Sequence, residues 1–258
     1  SCSRRTRSFL IISGAKPRSI GALWRLERNR TVKDYLDLLD EGTGLLLVGG
    51  QAVNLWAERY RDKDATIIKY LPFTSGDADF YRRKSKLKLP PNWKELPLPT
   101  KGRMRIVANV LEGPEGQKAE VIRSVNGLTQ KEVEDGSIPI TYVDRPMRFL
   151  VPPSLFQAKL ENLKSIDQEG RQDLKHFNLL IPVTRCFFDD LLTQHTASER
   201  PIKAIEWLSQ HAKNVQTAIK LGHHEDTDWN TFFPIERMNE HPSEAVRNFA
   251  KCQLKPNT

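Results

Sequence analysis

Between residues 31 and 151, short apolar runs alternate with stretches of helical spacing, whereas from Ser154 to about Ala250 helical spacing prevails. TVKDYLDLLDEG (31–42) gathers Val32, Tyr35, Leu36, Leu38 and Leu39 into one stripe. It predicts a short amphipathic helix with Thr31 as N-cap and Gly42 as its stop. LLLV (45–48) is unbroken apolar sequence, the pattern of a strand buried on both faces. It runs straight into Gly49-Gly50, after which QAVNLWAERYR (51–61) resumes helical spacing through Val53, Leu55, Trp56 and Tyr60. TIIKYL (66–71) fits a strand or a helix end, and Pro72 closes it. FTSGDADFY (73–81) reads as a strand, so that Asp77 and Asp79 share one face and Ala78 and Phe80 the other. The basic, proline-rich stretch 82–102 predicts a surface loop or short helix. Two strands are expected in RMRIVANVLEG (103–113) and KAEVIRSVNGL (118–128), joined by GPEGQ. TYV (141–143) and MRFLV (147–151) predict further short strands around the turn DRP.

At Pro152-Pro153 the pattern changes to helices: SLFQAKLENLKSID, RQDLKHFNLLIPVTRCFFDDLLTQH and SERPIKAIEWLSQHAKNVQTAIKL, with a frayed end after Pro242. The expected class is α+β: a mixed β-sheet with flanking helices, followed by a C-terminal helical domain. The boundaries expected are a basic extension over 1–30, a sheet domain over 31–151 and a helical domain over 152–258.

Composition narrows the partners more than the fold. At 258 residues and 38% hydrophobic content the chain can bury a sizeable core. The net charge of +8 favours polyanions such as nucleotides or RNA. The three cysteines, Cys2, Cys186 and Cys252, form neither a disulfide framework nor a metal knuckle. That pattern suits a reducing compartment, and a cytoplasmic location is expected. The first 22 residues are rich in Arg and Ser and lack acids, which loosely resembles an organelle transit peptide. No apolar run is long enough for a membrane helix.

Neither a dinucleotide fingerprint nor a Walker loop is present, since GGQAV and EGPEGQK lack the required spacing. His223-His224, followed by Glu225-Asp226, fits a solvated loop better than a metal site. Cys186, among aromatic residues, fits a buried structural thiol. An ordered series stands out instead: buried strand, Gly49-Gly50, helix, the Asp77/Asp79 strand, then a strand carrying Glu120. Glycine exposes backbone N–H groups to an anion at a helix N-terminus, and three carboxylates at one sheet edge would bind two Mg²⁺ through oxygen. Such ions activate an attacking hydroxyl and neutralise a leaving pyrophosphate, which is the requirement of nucleotidyl transfer. Taken singly, each feature also has a plain reading: a tight turn, a polar loop, a surface acid.

In that order, LLLVGGQAVNLW and TSGDADFY resemble the first two motifs of the polymerase-β-type nucleotidyltransferase superfamily. The resemblance implies that Asp77 and Asp79 bind two Mg²⁺ (or Mn²⁺) ions. It also implies that Glu120 completes the catalytic ion site, with Glu112 as its rival, and that Gly49 and Gly50 hold an NTP. PPSLFQAKLENLKSIDQEGRQDLKHFNLL is similar to the segment after the catalytic domain in abortive-infection-type nucleotidyltransferase toxins. That likeness implies a phosphate contact from Lys159 and an accessory acid in Asp173. The family departs here at Gln51-Ala52, where many members carry Ser, and at Glu120, where Asp is usual.

The expected activity is transfer of an NMP from an NTP to an acceptor hydroxyl of RNA, tRNA, protein or a small molecule, releasing pyrophosphate. Two alternatives stay open: a non-catalytic nucleotide- or nucleic-acid-binding module on the same fold, and a helical half that docks an antitoxin-type protein.

Overall fold

The computed structural model of the chain describes residues 30–39, 43–82, 87–98, 107–194 and 201–254. Seven strands form one mixed sheet in the order β3-β4-β5-β2-β1-β7-β6. They are β1 (Leu45–Val48), β2 (Ala78–Arg82), β3 (Lys94–Leu96), β4 (Val107–Glu112), β5 (Lys118–Ile122), β6 (Ser137–Tyr142) and β7 (Arg145–Leu150). The central strand β1 is buried along its whole length, between antiparallel β2 and parallel β7. Its apolar run has no polar alternation because neither face meets water. Helix α1 (Gly49–Tyr60) follows with no intervening linker. Trp56 ties it down by donating its indole N–H to the Leu150 carbonyl at 2.8 Å.

The mixed sheet with flanking helices and later helices is the expected architecture, and several local expectations change. The stretch after Thr31 is a 3-10 helix, Val32–Leu39, rather than an α-helix. Val32, Tyr35 and Leu38 recur every third residue, the period of a 3-10 turn, and all three are buried. Thr31 does not cap it by accepting: its N–H and hydroxyl both donate to Asp34 Oδ2, at 2.7 and 3.2 Å. Gly42 lies outside the described residues. Ile67–Tyr70 is a short 3-10 helix.

The basic stretch contains edge strand β3, paired antiparallel with β4, and Trp93 beside it is buried against the Tyr35 ring at 6.2 Å. One aromatic residue thus pins a segment whose charge and prolines suggested a surface loop. β4 is described only from Val107; the four residues before it lie outside the described set. β6 and β7 form a hairpin turning at Val143-Asp144, both at positive φ (48° and 58°), one residue ahead of the expected DRP turn. β6 forms the other edge and carries Pro139. A helix absent from the sequence reading, α2 (Gln130–Asp135), opens on a capping box of Thr129 and Glu132.

Helices α3 (Pro152–Ser165), α4 (Asp173–Gln194), α5 (Pro201–Lys220), α6 (Ile235–Glu240) and α7 (Glu244–Gln253) complete the chain. Pro152 and Pro153 occupy the first turn of α3, where a missing N–H costs nothing. Where a frayed end was expected after Pro242, residues 244–253 form α7, which buries Val246, Phe249 and Ala250 at helical spacing. α3 and α4 pack on each other and on α1, so one apolar cluster joins the sheet to the helices. No helix among the described residues is long and apolar enough to cross a membrane.

Inside that cluster His211 is fully buried among Phe156, Phe188 and Phe233, with ring centroids at 4.7, 5.5 and 5.2 Å. Neither of its ring nitrogens has a partner among the described residues. Burial pushes its pKa down to about 3. The folded state therefore disfavours the proton, and proton linkage at His211 takes nothing from stability above the unfolded value near 6.5. Stability falls as pH drops from there toward 3, by up to about 1.4 kcal/mol per pH unit. His211→Phe is expected to remove this share of the slope, read by denaturant unfolding at pH 7 and pH 5. An unchanged slope would show that the ring is not held neutral.

Candidate active site

At the end of β1 the chain must turn into α1 within one residue, and Gly49 does so at φ +65°. A Cβ at this position would lie 2.1 Å from Asp79 Oδ2, so the Asp79 carboxylate occupies the space that any other residue would claim. Register brings it there, because Asp79 pairs with Val48 across antiparallel β1 and β2. On its other side β2 runs parallel to β5, and there Asp79 pairs with Glu120. Registered partners share a face, so Glu120 sits beside Asp79 while Ala78, Phe80, Ala119 and Val121 are buried on the opposite face. Glu112 does not compete for this place. It lies on β4, one strand further out, opposite Lys118 and bound to Lys94 at 2.6 Å.

Asp77 lies just before β2 and accepts a hydrogen bond from the Ser75 side chain. Burial raises its pKa, and nearby Lys159 and Arg171 partly offset the rise. Asp79 is pushed up to about 7 by burial, then by Asp77 and then by Glu120. The phenol of Tyr35 beneath them is raised by burial and next by Asp77. Asp77 and Glu120 therefore both press on Asp79, where a positive charge would relieve it. Among the described residues no three His, Cys, Asp or Glu side chains already stand as a metal cage.

Lys159 on α3 and Asp173 at the start of α4 are both buried and bound at 2.6 Å, where single-residue readings suggested surface positions. Arg171 Nε donates to the other Asp173 oxygen at 2.5 Å, and Asn162 Nδ2 adds a bond to Oδ1 at 3.3 Å. Burial alone would raise Asp173, but Lys159 and Arg171 outweigh it and hold it down at about 2. One carboxylate thus carries two cations, whose surplus charge is felt by Asp77 and Asp79. Arg171 was not foreseen as part of the site. Neither was His176, one turn along α4, whose Cε1 would meet a Cβ at Gly50 at 2.8 Å. The Asp173/His176 spacing of three residues on one helix face was the available signal.

Gln51, directly after the glycine pair, is fully buried and donates from Nε2 to the Arg30 carbonyl at 3.0 Å. The paired histidines diverge: His223 packs edge-on against Phe177, while His224 Nδ1 accepts from the Asp226 N–H at 3.1 Å. Cys186 is a buried thiol raised to about 11 by burial. No family model matches this chain, and no curated protein matches it.

Gly49→Ala would set a Cβ at left-handed φ and drive it into Asp79. The expected cost is about 1–3 kcal/mol of stability in denaturant titration. Wild-type stability in this variant would mean that the turn relaxes freely and that Asp79 is not pinned.

Proposed function

We propose that the protein is a Mg²⁺-dependent nucleotidyltransferase that moves an NMP from an NTP to an acceptor hydroxyl and releases pyrophosphate. One observation carries the reading. Asp79 and Glu120 are in register on adjacent parallel strands, with Asp77 two residues away, directly against a strand–Gly49–helix turn. Oxygen-only donors suit a hard divalent cation, and Asp79 is lifted first by burial and then by Asp77 and Glu120, a penalty that such a cation would offset. Asp77, Asp79 and Glu120 would hold it. The ions would supply Lewis-acid activation of the hydroxyl and neutralisation of the leaving pyrophosphate. The chain's own groups orient the triphosphate: the amide end of α1 faces it, and Lys159 and Arg171 add positive charge. In this reading Glu120 takes the acceptor's proton. The net charge of +8 favours an RNA or tRNA acceptor.

A second reading is nucleotide binding without transfer on the same fold. Its support is that the three carboxylates are not gathered into a cage among the described residues.

Labelled NTPs, Mg²⁺ and total RNA separate the two, with label incorporated in the first case and only bound in the second. Asp77→Ala and Asp79→Asn are expected to cut incorporation by on the order of 10²–10³-fold. Without metal, Asp79→Asn should also unfold later than wild type, because it removes a charge from between two acids. Undiminished incorporation in both variants would sink the metal assignment.

A further inference from the structure

His176 is 2% exposed, yet neither of its ring nitrogens has a hydrogen-bond partner among the described residues. Burying an imidazole this way is costly unless something completes its bonding. The ring's Cε1–Nδ1 edge is turned toward the first turn of α1. Measured from the point that a Cβ on Gly50 would occupy, Ser75 Oγ lies at 3.2 Å and His176 Nδ1 at 3.4 Å. The imidazole edge and the Ser75 hydroxyl, from separate elements, therefore close on the first turn of α1, at a distance that only glycine at residue 50 permits. This helix has twelve residues, and no side chain caps its first turn. The Ser75 hydroxyl already donates to Asp77, so the amide end of α1 and the unpartnered imidazole are the donors that remain for an anion.

We propose that His176 is a phosphate-binding residue: its Nδ1–H donates to an oxygen of a di- or triphosphate group seated at the amide end of α1, beside Ser75. The assignment deepens, and rests on, the nucleotide reading of the site. Lys159 is already bound to Asp173, so it contributes charge, whereas His176 contributes direction. Burial, and next Lys159, hold the ring neutral, with its pKa down at about 3, so one nitrogen keeps its proton at physiological pH.

Calorimetric titration of the full chain with inorganic pyrophosphate, with and without Mg²⁺, reads this seat apart from catalysis. His176→Phe keeps a planar buried ring and deletes the donor; it should weaken pyrophosphate binding about tenfold. His176→Asn keeps a donor and should recover part of the loss. In the wild-type chain the His176 ring nitrogen resonances should shift on adding pyrophosphate, a response that a packing role would not produce. This resonance test decides the matter if either variant fails to fold by circular dichroism. Equal affinity in wild type and His176→Phe, or unmoved resonances, overturns the assignment. Pyrophosphate binding that depends on His176 without NMP incorporation from any NTP would sink the transferase reading alone. Incorporation with unchanged affinity in His176→Phe would sink the His176 assignment alone.

Discussion

The Asp79 carboxylate fills the volume that any side chain at residue 49 would claim, and much else follows from that exclusion. With no side chain at residue 49, β1 can end against β2 and α1 can start at once, its amide end beside the acids. The same approach puts Asp79 among Asp77, Glu120 and burial, all of which oppose its ionisation. Moving α1 outward by a methyl group would ease the crowding. It would also detach the helix from the sheet, because Trp56 is hydrogen-bonded to the end of β7.

The Lys159–Asp173–Arg171 group is the electrostatic counterweight. A buried ion pair seldom adds net stability over an apolar replacement, but removing one partner strands a charge at a cost of about 3–5 kcal/mol. Here the pair joins α3 to the first turn of α4 and leaves a positive surplus facing a negative cluster. Its value lies in placing charge of known sign against the sheet edge, on helices that cannot drift apart.

Local signals were legible in the sequence, and non-local ones were not. LLLV, the glycine pair and the following helix were readable because each depends on near neighbours along the chain. The pairing of Asp79 with Glu120 depends on β2–β5 register across some forty intervening residues, so local pattern could not say which of Glu120 and Glu112 lies beside Asp79. Lys159 and Asp173 looked like surface charges because an amphipathic pattern cannot reveal that two polar positions bury each other. The 3-10 helix at Val32 and the strand at Lys94 were misjudged for a related reason. Both are held by tertiary packing on Trp93 and Tyr35, which overrides local propensity. The capping box before α2 was visible in Thr129 and Glu132 and was overlooked.

The two ends of the sheet have a consequence for company rather than chemistry. An open strand edge invites another strand, whether from a second copy or from an unfolded neighbour. At one end β6 interrupts its row of amides with Pro139, and at the other β3 is only three residues long and displays Lys94 and Glu95. Both borders are therefore poor templates for continued pairing. Among the described residues, the sheet is thus closed to further strands by the composition of its own two borders.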